Sequence, residues 1–331
     1  MNMQIKYITT ISNSFMLRLG MYALIILMYI NCTPSQKKVP NEVKSYLNEV
    51  LNLLEKKSVN RKSINWSIVR DSVFQKAAHA NNIKQTYPAV TLAVSMLNDH
   101  HSYFRSVTEY ENDTNNNPLP ILVDELTPKD IGYIRIPFCV GTAEEINTYI
   151  SVIQYKFKQQ ANLHVKGWII DLRGNFGGNM WPMLLALEPL IGNGTLGYFV
   201  DADNKHESWK LKNGKAYIND TLIYENLTFE KLDLTSQYVA VITDNQTASS
   251  GEAISISFKC RNNTKSFGSP TFGVSTGCVS HQLSDGSIIN LAESVFADRK
   301  MKTYGTKVHP DVETTDPITQ SLNWIYSMNK N

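Results

Sequence analysis

Two stretches of this chain join an apolar strand to a helix through residues that could do chemistry. The first, residues 167–180, reads Gly-Trp-Ile-Ile-Asp-Leu-Arg-Gly-Asn-Phe-Gly-Gly-Asn-Met. Its apolar run ends in the charged pair Asp171 and Arg173, opens into a loop with Gly174, Gly177 and Gly178, and leads into an apolar segment at 180–191. Strand, glycine turn and helix together present bare backbone N–H groups to a negative charge, either a phosphate or a transient oxyanion. The run Gly-x-x-Gly-Gly lacks the Gly-x-Gly-x-x-Gly spacing, and no Gly-Lys-Ser/Thr follows, so phosphate is the weaker reading. At the second junction an apolar strand at 238–242 runs into Thr-Asp-Asn-Gln-Thr-Ala-Ser-Ser-Gly-Glu and then the helical run 253–260. Ser249 and Ser250 stand there, where free amides and the helix dipole favour negative charge on an atom that a hydroxyl attacks. The spacing of Ser249 and Glu252 is also that of a capping box, which needs no function.

The elements that must position these junctions alternate along the chain. Apolar residues at 43, 46, 47, 50, 51 and 54 recur at helical spacing, predicting an amphipathic helix. Residues 66–80 and 88–97 read as two more, so 43–107 form a helical N-terminal subdomain. A polar loop at 108–120, with a run of asparagines and two prolines, follows as a boundary or a flap. A strand at 131–136 and a long helix at 142–160 lead into the glycine junction. Residues 196–235 alternate around Lys-Asn-Gly-Lys at 212–215, predicting a hairpin insertion. The core, 121–316, is therefore α/β, and 317–331 carry a C-terminal helix. No separate peptide-docking module stands between the helical part and the core.

With 331 residues and 42% of them hydrophobic, the chain allows one large globular domain or two small ones. A net charge of +2 without a dense basic run argues against nucleic acid as a partner. Residues 20–31 carry no charge and follow Arg18. That run is too short to span a bilayer but suits a signal-peptide core. Cys32 comes next, then a polar segment, an arrangement that resembles the lipid-attachment site of a bacterial lipoprotein. Residues 1–31 are thus expected to be a signal peptide, with Met16 as an alternative start, and 32–42 a linker behind the lipidated Cys32. An ordinary signal segment is the alternative. Cys139, Cys260 and Cys278 show no metal-binding spacing. Cys260 and Cys278 either pair or remain two buried thiols.

Five motifs stand in the order of the tail-specific, or C-terminal processing, serine peptidases: DHHSYF (99–104), DLRGNFGG (171–178), TASSGE (247–252), GSPTFGVSTG (268–277) and HPDVE (309–313). The chain resembles that family over residues 90–315. The resemblance implies a crotonase-like layered α/β core behind the helical subdomain. It makes Ser249 the nucleophile, three residues before Glu252, and Gly178 and Ser250 the donors of the oxyanion hole. Glycine is expected at 178 because a Cβ would block the substrate carbonyl. A serine hydroxyl needs a base. Relatives with a lysine in the Thr-Phe-Gly-x segment carry it where this chain has Val274. The chain instead resembles the tricorn-core-like branch, whose base is a histidine. Aligning Asp-x-His-Ser on 99–102 selects His101 over its neighbour His100, and an ordinary pKa of about 6.5 suits the task.

That branch supplies an acid as a third member, yet Lys302, Thr303, Tyr304 and Gly305 stand at its place. Asp298 is the expected substitute, with Glu293 behind it. The resemblance implies hydrolysis, through an acyl-enzyme, of extended peptides or protein C-terminal tails at the bacterial cell envelope. Neither metal nor cofactor is expected, and the membrane is reached through the lipidated N-terminus. The alternative is an envelope lipoprotein that keeps the fold and binds peptides without cleaving them. The missing lysine and the altered acid position motivate it.

Overall fold

The computed structural model describes residues 39–111, 125 and 127–330. The expected signal segment, Cys32 and most of the 108–120 loop lie outside the described residues. No described helix is long and apolar enough to cross a membrane.

Helix α1 (Asn41–Lys57) forms where the sequence repeats, burying Val43, Tyr46, Leu47, Val50, Leu51 and Leu54 along one face. The Asn65 side chain caps α2 (Trp66–Lys76) by accepting the Ile68 N–H. Pro88 sits in the first turn of α3 (Tyr87–Ser95), where its missing N–H costs nothing. A short strand, β1 (Tyr103–Arg105), and a short helix, α4 (Val107–Glu111), complete this part.

The core continues with β2 (Gly132–Arg135), α5 (Ala143–Ala161), β3 (Trp168–Asp171), α6 (Met180–Ala186) and α7 (Glu188–Ile191). One continuous helix was expected at 180–191. It breaks at Leu187 because Pro189 has no N–H to continue the ladder. The expected hairpin is a four-strand meander: β4 (Gly194–Asp201), β5 (His206–Leu211), β6 (Lys215–Ile218) and β7 (Thr221–Glu225). Asn213 and Gly214, with φ of 50° and 75°, make the tight turn between β5 and β6. Then come β8 (Val239–Thr243), α8 (Ser250–Phe258), β9 (Thr264–Gly268), β10 (Thr276–Gln282), β11 (Ile288–Ala297), β12 (Val312–Glu313) and α9 (Pro317–Met328).

Five strands form a parallel sheet in the order β12-β9-β8-β3-β2. Its strands are apolar throughout because both faces are covered. Ile169, Ala240, Ile242 and Phe267 pack on Ile325 of α9. On the other face Trp168, Ile170, Val239 and Val241 share one core with residues of α5, α6 and α8. Trp209, Leu211 and Phe296, from a seven-stranded antiparallel sheet, close that core from the far side. Helix, sheet, helices, sheet is the layered α/β architecture that the motifs implied.

Strand β11 ties the helical part to the core. One of its edges pairs with β10; the other pairs with β1 at 288–290 and with β4 at 294–297. In the gap, the Ala292 N–H donates to Ser102 Oγ (2.9 Å) and its carbonyl accepts the Val59 N–H (2.9 Å). The Tyr46 and Tyr87 hydroxyls donate to Asp285 between β10 and β11, at 3.1 and 2.9 Å. Cys139, Cys260 and Cys278 are all free thiols, and Cys260 is exposed after α8. Neither a Cys260–Cys278 disulfide nor a pair of buried thiols is formed.

Glu188 is buried at the start of α7, where its carboxylate accepts the Gly214 N–H. Burial pushes its pKa up to about 7 from 4.5, against the opposing effect of that hydrogen bond. A folded-state pKa above the unfolded one gives stability that is full below about 4.5 and lost as pH rises through about 7. Glu188→Gln is therefore expected to gain on the wild type in melting temperature as pH rises from 5 to 8. Thermal unfolding monitored by circular dichroism checks it, and a pH-independent difference would contradict it.

Candidate active site

His101 owes its place to the Asp99 carboxylate. Asp99 Oδ1 accepts the N–H groups of His101 (2.9 Å) and Ser102 (2.7 Å), and Oδ2 accepts the Ser102 hydroxyl (2.7 Å). This closes a tight side-chain-to-backbone turn between Asn98 and His100, both at positive φ, and hands Ser102 to Ala292 of β11. The His101 ring then reaches β10, where its Nδ1 lies 2.6 Å from Thr276 Oγ1 and 3.2 Å from Cys278 Sγ. Burial lowers the His101 pKa below 6.5, with Asp99 pulling the other way, so the imidazole is neutral at pH 7. With Nδ1 donating to Thr276, Nε2 keeps a free lone pair. Cys278 is no rival nucleophile: burial pushes its thiol up to about 12, which keeps it protonated.

Ser249 heads α8 at φ 53°, a conformation that costs a serine on the order of 1–3 kcal/mol. Glu252 holds it there by accepting the Ser249 N–H (2.9 Å), while the Glu252 N–H bonds the Ser249 carbonyl (2.9 Å). The Ser249 hydroxyl makes no cap hydrogen bond, so Ser-x-x-Glu anchors the turn through its backbone and leaves the hydroxyl available. The same carboxylate accepts Thr271 Oγ1 (2.5 Å) and the N–H groups of Gly273 and Val274 (both 3.0 Å). Glu252 is fully buried, and that burial raises its pKa although the four donors counteract it. One carboxylate thus clamps the serine turn to the segment that carries Thr276.

The glycine loop docks from the other side. Fully buried Asp171 takes the Arg173 guanidinium (2.6 Å to Nη2) and the Tyr133 hydroxyl (2.7 Å), pinning the loop. The Asn175 side chain donates to the carbonyls of Ile136 (2.9 Å) and Pro137 (3.1 Å) and accepts the Gly177 N–H (3.0 Å). Gly178 pairs with Cys139 at φ 101°, and a Cβ there would lie 2.2 Å from the Cys139 carbonyl oxygen. Glycine is needed at 178 for the fold of the loop itself, a reason separate from the substrate clearance expected from sequence. The Ser250 hydroxyl donates to the Gly178 carbonyl (2.5 Å), which ties the two expected amide donors together. Neither the Gly178 nor the Ser250 N–H has a hydrogen-bond partner among the described residues.

Ser249, Ser250, Gly178 and His101 line one cleft of about 890 Å³ between the helical part and the core. Arg61 and Asp203 also line it and form an ion pair with each other at 2.8 Å. Among the described residues no hydrogen bond joins the Ser249 hydroxyl to His101. Asp298 does not belong to this group. Its Oδ1 accepts the N–H groups of Lys300 (2.8 Å) and Lys302 (3.2 Å), and its Oδ2 the Tyr304 hydroxyl (3.1 Å). A carboxylate consumed by its own turn cannot orient a distant imidazole. Glu293 instead pairs with His281 Nε2 (2.6 Å). The partner of His101 is Thr276, which lay unremarked inside GSPTFGVSTG.

Removing the Glu252 carboxylate orphans four donors, one from the strained serine turn and three from residues 271–274. Glu252→Ala is expected to cost about 2–4 kcal/mol of unfolding free energy, measured by urea titration. A loss below about 0.5 kcal/mol, the level of an ordinary surface change, would refute the clamp.

Comparison with known proteins fits this geometry. The nisin-resistance protein of Lactococcus lactis subsp. lactis is 26% identical over 298 residues, covering 88% of this chain and 90% of that protein. The carboxy-terminal processing protease CtpA of Bacillus subtilis (strain 168) is 28% identical over 175 residues, 53% of this chain but 32% of that protein. Among solved structures, a lipoprotein from Streptococcus agalactiae superposes with a TM-score of 0.72 at 27% identity, covering 88% of this chain and 98% of its own. The photosystem II D1 C-terminal processing protease shares the fold, with a TM-score of 0.60 at 16% identity over 85% of this chain and 94% of its own. The sequence profile of Peptidase family S41 matches residues 130–314, more than half of the chain. With that match spanning both strand-to-helix junctions, the chain belongs to peptidase family S41.

Proposed function

We propose that this chain is a serine peptidase of the bacterial cell envelope in which Ser249 and His101 do the chemistry. One observation carries the reading. A serine held at positive φ with an unengaged hydroxyl shares a cleft with a neutral imidazole and two unbonded amides. Ser249 Oγ attacks the peptide carbonyl carbon and gives its proton to His101 Nε2. The Gly178 and Ser250 amides receive the oxyanion, the term that usually contributes most in acyl transfer. The tetrahedral intermediate collapses, the C–N bond breaks, and His101 returns the proton to the departing amine. Water then hydrolyses the acyl-enzyme by the same route in reverse. Thr276 takes the positioning role that an acid fills in related sites: by accepting Nδ1–H it selects the tautomer with a basic Nε2.

The substrate in this reading is an extended peptide or protein tail, added beside the edge of β10 that pairs with no strand among the described residues, and residues 276–279 of β10 line the cleft. The uncharged N-terminal run followed by Cys32 supports a lipid-anchored envelope location, as do relatives named as a lipoprotein and a nisin-resistance protein. Nisin is accordingly the first substrate to test. A second reading, a peptide binder without catalysis, draws on the missing hydrogen bond between Ser249 and His101.

A serine-directed fluorophosphonate separates the two. Labelling of the wild type that vanishes in Ser249→Ala and weakens in His101→Ala is the expected result. No labelling of folded protein would leave the binder. Thr276→Val should lower kcat on the order of 100-fold, the low end of what a positioned general base contributes, while Thr276→Ser stays within a few-fold. Equal effects of the two would remove Thr276 from the mechanism.

The pH profile gives a separate check. His101 acts as base only when neutral and its pKa lies below 6.5. The acidic limb of kcat/KM should therefore have its midpoint below 6.5, with activity undiminished at pH 7. A midpoint above 7 would contradict a buried, neutral imidazole.

A further inference from the structure

A second cavity, of about 500 Å³, shares Ser249 and His101 with the large cleft but has a different character. Its walls include Phe176, Phe272, Val274 and Ala248. Phe176 and Phe272 are each 55% exposed, large apolar surface left open to water in a cavity that Ser249 also lines. Such surface marks a binding site more often than an accident. The Phe176 ring and the Phe272 backbone are held in place. Phe176 stacks on Phe138 with centroids 4.2 Å apart, and the Phe272 N–H donates to the Thr247 carbonyl (2.9 Å). Val274 is fixed by its bond to Glu252. The cavity is thus preformed, and its size falls in the range typical of ligand pockets.

The two cavities divide the chemistry between them. Gly178 and Ser250, whose amides receive the oxyanion in the proposed mechanism, line the large cleft and are absent from the apolar one. The smaller cavity holds the serine and the imidazole without the oxyanion donors. A peptide drawn across Ser249 therefore keeps its acyl half in the large cleft, while its amine half departs past His101 into the apolar cavity. We infer that the pocket of Phe176, Phe272 and Val274 is a specificity site for an apolar side chain on the residue immediately after the scissile bond. This inference rests on the peptidase reading.

The test uses internally quenched peptides that differ only at the residue following the cleaved bond, carrying Gly, Leu, Phe or Asp there. Mass spectrometry locates the cut, and Ser249→Ala controls for contaminating activity. Wild type is expected to favour Leu and Phe over Gly by about tenfold or more in kcat/KM, as a hydrophobic pocket does, and to disfavour Asp. In Phe176→Ala and Phe272→Ala that spread should shrink to within about threefold, chiefly through KM. Fluorophosphonate labelling of both variants verifies that the Ser249 centre survives. Serine-dependent cleavage whose preference ignores this residue, or is unchanged in both variants, overturns the pocket assignment and leaves the peptidase standing. Absence of any Ser249-dependent cleavage overturns the peptidase reading and this inference together.

Discussion

The Glu252 carboxylate lies fully buried under the first turn of α8, and two separately folded segments converge on it. It accepts one N–H from the serine turn and three donors from residues 271–274. Burying a carboxylate is expensive unless its lone pairs are satisfied. Here four donors offset that cost and hold Ser249 in a backbone conformation that serine otherwise avoids. The spacing that makes a capping box has been turned to another use: the glutamate steadies the turn, and the serine side chain stays out of the cap. Everything nearby inherits its position from this clamp, because Thr276 follows directly on the clamped segment and Ser250 follows on the clamped turn.

A second constraint fixes the imidazole. Ser249 and Gly178 both stand in the segments that leave the C-terminal ends of β8 and β3 of the parallel sheet, where open α/β sheets place their ligands. His101 comes from the opposite layer, on a turn shaped by Asp99 and stitched through Ser102 to β11 of the antiparallel sheet. The distance between nucleophile and base is therefore a distance between layers. It is set by how the helical part seats on β11 through Tyr46, Tyr87 and Asp285.

Much of this was legible beforehand because the signals were local. Helix α1 and the parallel strands follow their apolar periodicity, and the two junctions declare themselves by glycine, serine and charge. The failures were of the opposite kind. Residues 196–235 read as one hairpin, yet they form four strands, since alternation reports strand character and says little about how many turns interrupt it. Residues 180–191 read as one helix until Pro189 divided it. Asp298 was favoured for its charge and its place in the chain, but its lone pairs are spent on Lys300, Lys302 and Tyr304.

From sequence alone came the family, the layered α/β class, and the roles expected of Ser249, His101, Gly178 and Ser250, because each rests on residue type and short-range spacing. Only the folded chain could decide which groups meet across long separations. Thr276 is 175 residues from His101, and hydrogen-bond reach is a property of packed layers that no spacing encodes. The need for glycine at 178 was likewise visible, while its cause, the Cys139 carbonyl 2.2 Å from any Cβ, belongs to a contact between separate segments.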